Sequence, residues 1–286
     1  MTKEQTVGRP YHGPIIDTHC HIYPDSIAEH AAAAIGEFYD FPIEADGRVD
    51  TLLRVGREAG VCHHVVCSVA TTPKQVTSVN RFIHTTAEAH PDRITGLGAL
   101  HPDSADMEAD VEMILAHGLK GVKLHPDFQK VALDDPRYLT MFELCSGRLP
   151  ILCHLGDYRY DFSNPERVRR VLKMFPQLRF VGAHLGGWTV WKEAAEILHD
   201  CENLVVDSSS SLFAITAEEA AHLIGIYGED RVMFGVDYPM WNPVGEMERF
   251  LKIDLSDTAR EKILWKNAAA FYGIDLMNTE DCTDAV

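Results

Sequence analysis

Short apolar runs of four to eight residues alternate with longer amphipathic stretches from one end of the chain to the other. Eight of the short runs read as strands: Ile15 to His19, Cys62 to Val69, Ile94 to Ala99, Gly121 to His125, Ile151 to His154, Phe180 to His184, Leu204 to Asp207 and Val232 to Asp237. Most are continuously apolar, as parallel strands are when helices cover both faces of their sheet. The stretches between them carry helix signals. Asn164-Pro165-Glu166 supplies an N-cap, a proline at the first helical position and an early acid. Val168, Val171, Leu172 and Phe175 then share one face, and Pro176 stops the helix. Thr216 and Glu219 form a capping box ahead of the stripe Ala220, Leu223, Ile224 and Tyr227, with Gly228 placed to close the end. A last helix is expected from about Asp257 to Tyr272, ending at Gly273.

Eight β-α alternations in about 260 residues predict a single-domain (β/α)8 TIM barrel spanning 1–286, with its core at about 15–274. A doubly wound open sheet is the alternative. Polar residues favour the barrel, because His19, His125, His154, His184, Asp207 and Asp237 all fall at the C-terminal ends of strands. That rim is where barrel enzymes build their active sites. The segment from Asp25 to Arg48 is long for a connection and holds Phe38, Tyr39 and Phe41, so it is expected to act as a lid or pocket wall.

Composition narrows the function. The formal charge of −17 arises without any block of like charge, and a net negative field argues against nucleic acid or an anionic membrane as partner. No apolar run approaches the ~18 residues of a membrane span, and the polar segment Met1 to Pro14 lacks the apolar stretch of a secretory signal. The seven cysteines are scattered, without a C-x-x-C pair, which is the usage expected of a cytoplasmic protein. A small-molecule enzyme, by default a homodimer, fits these bounds.

The chemistry starts at His19-Cys20-His21. Side chains two apart on a strand share a face, so both imidazoles can grip one ion while Cys20 points away. With His154 and Asp237 they make a borderline N/O set that suits Zn²⁺, and also Mn²⁺, Fe²⁺, Co²⁺ or Ni²⁺. A divalent ion lowers the pKa of a bound water from 15.7 to about 7. Asp237 can accept the water's proton, and His184 can orient the water or protonate a leaving group. His63, His64, His84, His90, His101, His117, His199 and His222 read as structural or surface residues, although His101, like Asp207, follows a strand closely enough to reach the pocket. Ser208 to Ser211 form a polar loop with no base placed to activate them, so a serine nucleophile is not expected.

Asp17-Thr18-His19-Cys20-His21, Gly121-Val122-Lys123-Leu124-His125-Pro126, Cys153-His154, Ala183-His184-Leu185-Gly186-Gly187, Phe234-Gly235-Val236-Asp237-Tyr238-Pro239 and Lys266-Asn267-Ala268 follow one another along the chain. Together they resemble the successive motifs of the amidohydrolase superfamily. The nearest pattern is its amidohydrolase-related branch, which includes decarboxylases of the aminocarboxymuconate-semialdehyde and resorcylate types. The resemblance implies one divalent metal held by His19, His21, His154 and Asp237, with His184 as catalytic partner. Binuclear members of the superfamily carry a carbamylated lysine in a setting similar to that of Lys123. A second metal bridged by Lys123 is therefore the alternative to Lys123 as a free cation for an anionic substrate.

Residues at or just past the strand ends should line the pocket, namely His125, Phe128, Tyr158, Arg159, Trp188 and Trp241, with Lys123 inside its strand as the cation for an anionic substrate. Aromatic walls with a few cations suggest a planar or carboxylate-bearing small molecule, with Arg159 as a carboxylate clamp. The leading reading is a metal-dependent hydrolase of an amide, lactone or related bond. A non-oxidative decarboxylase using the same metal is the alternative, and a barrel that binds metal or ligand without turnover is the third.

Overall fold

Each of the eight apolar runs forms a strand, and each strand pairs in parallel with its neighbour in a computed structural model that describes residues 11–276. In chain order the strands are β1 (Ile16–His21), β2 (His63–Cys67), β3 (Ile94–Gly96), β4 (Gly98–Ala99), β5 (Val122–Leu124), β6 (Ile151–Cys153), β7 (Phe180–Gly182), β8 (Leu204–Asp207) and β9 (Val232–Met233). β3 and β4 are one expected strand parted at Leu97, whose N–H still donates to Val66 on β2 at 2.9 Å. Two glycines explain the break. A Cβ at Gly96 would lie 2.7 Å from Ile83, and one at Gly98 would lie 2.7 Å from Ile114, so the covering helices come unusually close. The Asn80 amide then bonds both backbone groups of Ala99, in place of part of the strand ladder.

The ring closes between its first and last strands. Thr18 N–H donates to Phe234 O at 3.0 Å, Asp237 N–H to His19 O at 2.8 Å and His21 N–H to Tyr238 O at 2.6 Å. The protein is therefore a (β/α)8 barrel, and the open sheet is excluded. The expected final strand, Val232 to Asp237, keeps ladder pairing with β8 only over Val232–Met233. Beyond it the chain bends to form the seam and reaches Asp237 at φ 71°.

Alternation along each strand divides the core. Ile16, Val65, Leu97, Leu152, Val181 and Met233 all point inward, are at most 1 % exposed and pack together as a plug in the barrel's interior. Outward-facing residues join the helices in the larger cluster. The plug leaves only the C-terminal rim of the barrel for polar side chains.

The helix signals hold at their caps. Asn164 accepts from Arg167 N at the start of the Pro165–Met174 helix, and Thr216 with Glu219 completes the capping box of Ala217–Tyr227. The last helix departs from expectation: a π-helical turn at Lys262–Lys266 separates Asp257–Glu261 from Asn267–Tyr272. The long connection after β1 folds into a helix, Ala28–Tyr39, over the rim. Cys20, Cys67, Cys145, Cys153 and Cys201 are buried free thiols, as small hydrophobes would be. Cys62 is buried as well. Among the described residues no helix is long and apolar enough to cross a membrane. The first ten residues of the polar N-terminus lie outside the described residues.

Candidate active site

The period of β1 sends His19 and His21 into the barrel mouth side by side, with their Nε2 atoms 3.2 Å apart. Asp237 comes to them across the seam, its Oδ1 at 3.4 Å from His19 Nε2 and 3.6 Å from His21 Nε2. Three donors from opposite ends of the sequence thus converge at the spacing of ligand atoms about 2.0–2.2 Å from one ion. Lys123, from β5, brings its Nζ to 2.7 Å from His19 Nε2 and is itself only 1 % exposed.

His154 and His184 follow β6 and β7 and meet each other, Nδ1 to Nε2, at 2.9 Å. His184 also stacks on His19 with ring centroids 5.3 Å apart. The other face of His154 lies flat on His125 at 4.0 Å, and its Nε2 is 3.3 Å from Asp127 Oδ2. The trio of His19, His21 and Asp237 is therefore assembled directly. His154 stands beside it, bonded to His184 through Nδ1, while its buried Nε2 lies near Asp127 without a hydrogen-bond partner.

Burial dominates the electrostatics. It holds His19, His21, His125 and His184 well below the usual histidine range, with the positive charge of Lys123 adding to the effect. These rings are consequently neutral, the form that coordinates a cation. Burial also raises the Asp237 carboxyl to about 6, opposed by Lys123 and by a hydrogen bond from Ser210. Asp237, His184 and Leu185 all adopt positive φ, backbone strain that surrounding packing must hold in place.

A narrow pocket opens over these groups. Lys123 and His125 line it as expected, together with Phe128 and Met240. Sequence reasoning did not single out Tyr39 as a site residue. It descends from the end of the Ala28–Tyr39 helix to form the wall, and its hydroxyl pairs with His125 Nε2 at 2.8 Å. The aromatic content of that long connection was the only signal for it.

Four expected substrate contacts are placed differently. Tyr158 is 75 % exposed, because Gly156 and Asp157 turn the chain through positive φ and swing it outward. The Arg159 guanidinium is already engaged: Nε and Nη2 bond Asp157 at 2.9 and 2.7 Å, and Nη1 donates to Phe38 O at 2.8 Å. It also lies over the Phe38 and Tyr39 rings, so it pins the end of the wall helix instead of presenting itself to a ligand. Trp188 packs behind Tyr39 at 4.9 Å, and Trp241 is buried with its indole N–H bonded to Ser210. Arg159→Ala is expected to speed amide exchange at Tyr39 and Asp40 and to cost about 1–3 kcal/mol of stability, since the buried Asp157 loses its partner. Hydrogen exchange and urea unfolding measure the two effects. Unchanged exchange at Tyr39 would contradict the pinning role.

Asp207 completes the picture. At the end of β8 it places Oδ2 3.0 Å from His19 Nδ1 and accepts the His184 backbone N–H at Oδ1, so one carboxylate backs the His19 imidazole and holds the main chain at His184.

A (β/α)8 barrel with buried imidazoles and carboxylates gathered at its C-terminal rim belongs to the class of barrel enzymes with a metal-competent site. Within that class the chain belongs to the amidohydrolase family, whose model matches residues 16–274. Among solved structures, a TIM-barrel protein of uncharacterized function from Bordetella bronchiseptica is similar at 22 % identity and a TM-score of 0.74, over 91 % of this chain and 99 % of that one. The 5-carboxyvanillate decarboxylase of Sphingomonas paucimobilis matches at 17 % identity and 0.69, over 92 % and 99 % of the two chains. A dihydroxybenzoic acid decarboxylase from Polaromonas sp. JS666, solved with manganese and 2-nitroresorcinol, matches at 16 % and 0.70, over 91 % and 97 %.

Proposed function

We propose that the protein is a divalent-metal-dependent, non-oxidative decarboxylase of a small aromatic carboxylic acid. The observation that carries this reading is the Lys123 ammonium, buried 2.7 Å from His19 Nε2 at the floor of a pocket walled by Tyr39, Phe128 and Met240. A buried cation facing aromatic and aliphatic walls suits a flat anion. The decarboxylases of similar fold support the same choice over hydrolysis, which led on sequence alone.

His19, His21 and Asp237 would hold the ion, with His154 adjoining them. When bound, the ion supplies Lewis acidity and fixes an anionic substrate; Mn²⁺ and Zn²⁺ both suit the donors. The chain's own groups do the rest. Lys123 neutralises the substrate's charge and His125 stacks beside it. The bond between the substrate carbon and its carboxylate breaks, CO₂ departs, and the electron pair left on carbon takes a proton from Asp237, with His184 next to it. The balance is one carboxylate and one proton in, one C–H product and one CO₂ out.

The test is a panel of hydroxylated benzoates given to protein loaded separately with Mn²⁺ or Zn²⁺, following CO₂ and product together. Equimolar CO₂ and decarboxylated product support the reading. Turnover of an amide or lactone panel with no CO₂ from any acid would replace it with hydrolysis.

A further inference from the structure

Ser208, Ser209, Ser210 and Ser211 follow β8, and none is more than 2 % exposed. Burying four consecutive hydroxyls is costly unless each is partnered, so their bonds reveal what the tract is for. Ser208 Oγ meets the backbone of Gly235 at the seam, and Ser211 Oγ accepts from the Trp191 indole. The middle two reach the site itself.

Ser209 Oγ donates to Asp207 Oδ1 and lies 2.8 Å from His19 Nδ1 and 3.0 Å from His184 Nδ1. Asp207 Oδ2 and the Ser209 carbonyl, both acceptors, stand at 3.0 Å from the same two nitrogens. Each Nδ1 therefore carries the proton and each Nε2 keeps its lone pair: that of His19 faces His21, Asp237 and Lys123, and that of His184 meets His154 Nδ1. The arrangement also rules out Ser209 as a nucleophile, because its proton goes to Asp207 and because Asp207 and Ser209 address the same nitrogen of His19. No base is left on the far side of the ring to relay a proton.

Ser210 does for Asp237 what Ser209 does for the rings. The Trp241 indole can only donate, and it does so to Ser210 Oγ at 2.8 Å. The hydroxyl's own proton must then go forward to Asp237 Oδ2, at 2.5 Å. This occupies one carboxylate oxygen and leaves Oδ1 facing His19 and His21. Ser210 is held at φ 43°, and the Trp241 ring is wedged between Phe41 and Phe213 at 5.0 and 4.6 Å.

We infer that Ser209 and Ser210 are positioning residues of the metal site: Ser209 fixes the tautomers of His19 and His184, and Ser210, polarised by Trp241, fixes the carboxylate of Asp237. The inference rests on the reading of His19, His21 and Asp237 as metal ligands. Its test is calorimetric titration of the metal-free full chain with Mn²⁺ alone, comparing wild type with Ser210→Ala, Trp241→Phe and the double variant. Trp241→Phe keeps an aromatic ring between Phe41 and Phe213 while removing the indole N–H, so it remains informative if Ser210→Ala folds poorly. Ser210→Ala is expected to weaken Mn²⁺ binding about 10–100-fold, read at a temperature well below the unfolding midpoint of the metal-free protein, which falls because the buried Trp241 N–H and Asp237 Oδ2 lose their partner. Trp241→Phe should lose less, and the double variant should lose no more than Ser210→Ala, because the indole acts through the hydroxyl. Wild-type affinity in Ser210→Ala and Trp241→Phe, or additive losses in the double variant, would overturn the inference while leaving the metal site standing. A wild-type chain that takes up no Mn²⁺ would instead remove the metal reading, and the inference with it.

Discussion

Asp237→Asn is expected to lower kcat by about 10³- to 10⁴-fold while KM changes little, measured on the first acid of the panel that turns over. Asparagine cannot carry a proton to carbon, and because Ser210 donates at the Oδ2 position its amide oxygen should turn to Ser210 and its NH2 to the histidines, so metal content is measured together with rate. His184→Asn is the companion experiment. Its ring stacks on His19 without joining the donor trio, so the variant should retain metal and lose rate. If Asp237→Asn kept its metal and turned over at the wild-type rate, Asp237 would not be the proton carrier. A full loss in His184→Asn alone would pass that role to the imidazole.

Removal of the metal is the second large effect. Protein stripped with a chelator should show no measurable turnover, and Mn²⁺ or Zn²⁺ should restore it. Because the ligands come from the first strand and from the segment after the last, on either side of the seam, the ion should also raise stability, by about 2.7 kcal/mol at a free concentration 100 times its Kd. Thermal unfolding with and without metal measures this, and identical midpoints would argue against a site at the seam. The stoichiometry at full activity decides the part played by Lys123. One equivalent leaves it as the cation of the pocket. Two equivalents, gained only in the presence of bicarbonate, would assign it the bridging carbamate.

What the sequence made legible follows from periodicity. Continuous apolar runs identify the strands because helices cover the sheet, and a two-residue period puts His19 and His21 on one face without reference to the rest of the fold. Local caps such as Thr216 with Glu219 are equally readable, since both partners lie within one turn. Contacts between distant segments are not. Nothing local to Tyr39 announces its bond to His125, and nothing in Ser208 to Ser211 says that two of these hydroxyls face the imidazoles and Asp237. Arg159 and Tyr158 show the opposite failure. Proximity to a strand end suggested that they line the pocket, but two successive residues at positive φ turned Tyr158 away, and Asp157 claimed the guanidinium. The π-helical turn in the last helix is likewise invisible to a 3.6-residue pattern.

The seam at which the barrel closes has a consequence for how the molecule is made. His19 and His21 are synthesised with the first strand, whereas Asp237, which bonds to the His19 carbonyl, follows even the last one, Val232–Met233. Until then the nascent chain holds a pair of histidines without their carboxylate and a sheet with two open edges. Ring closure and completion of the donor set thus both depend on the same late segment, and a chain truncated before Asp237 lacks both.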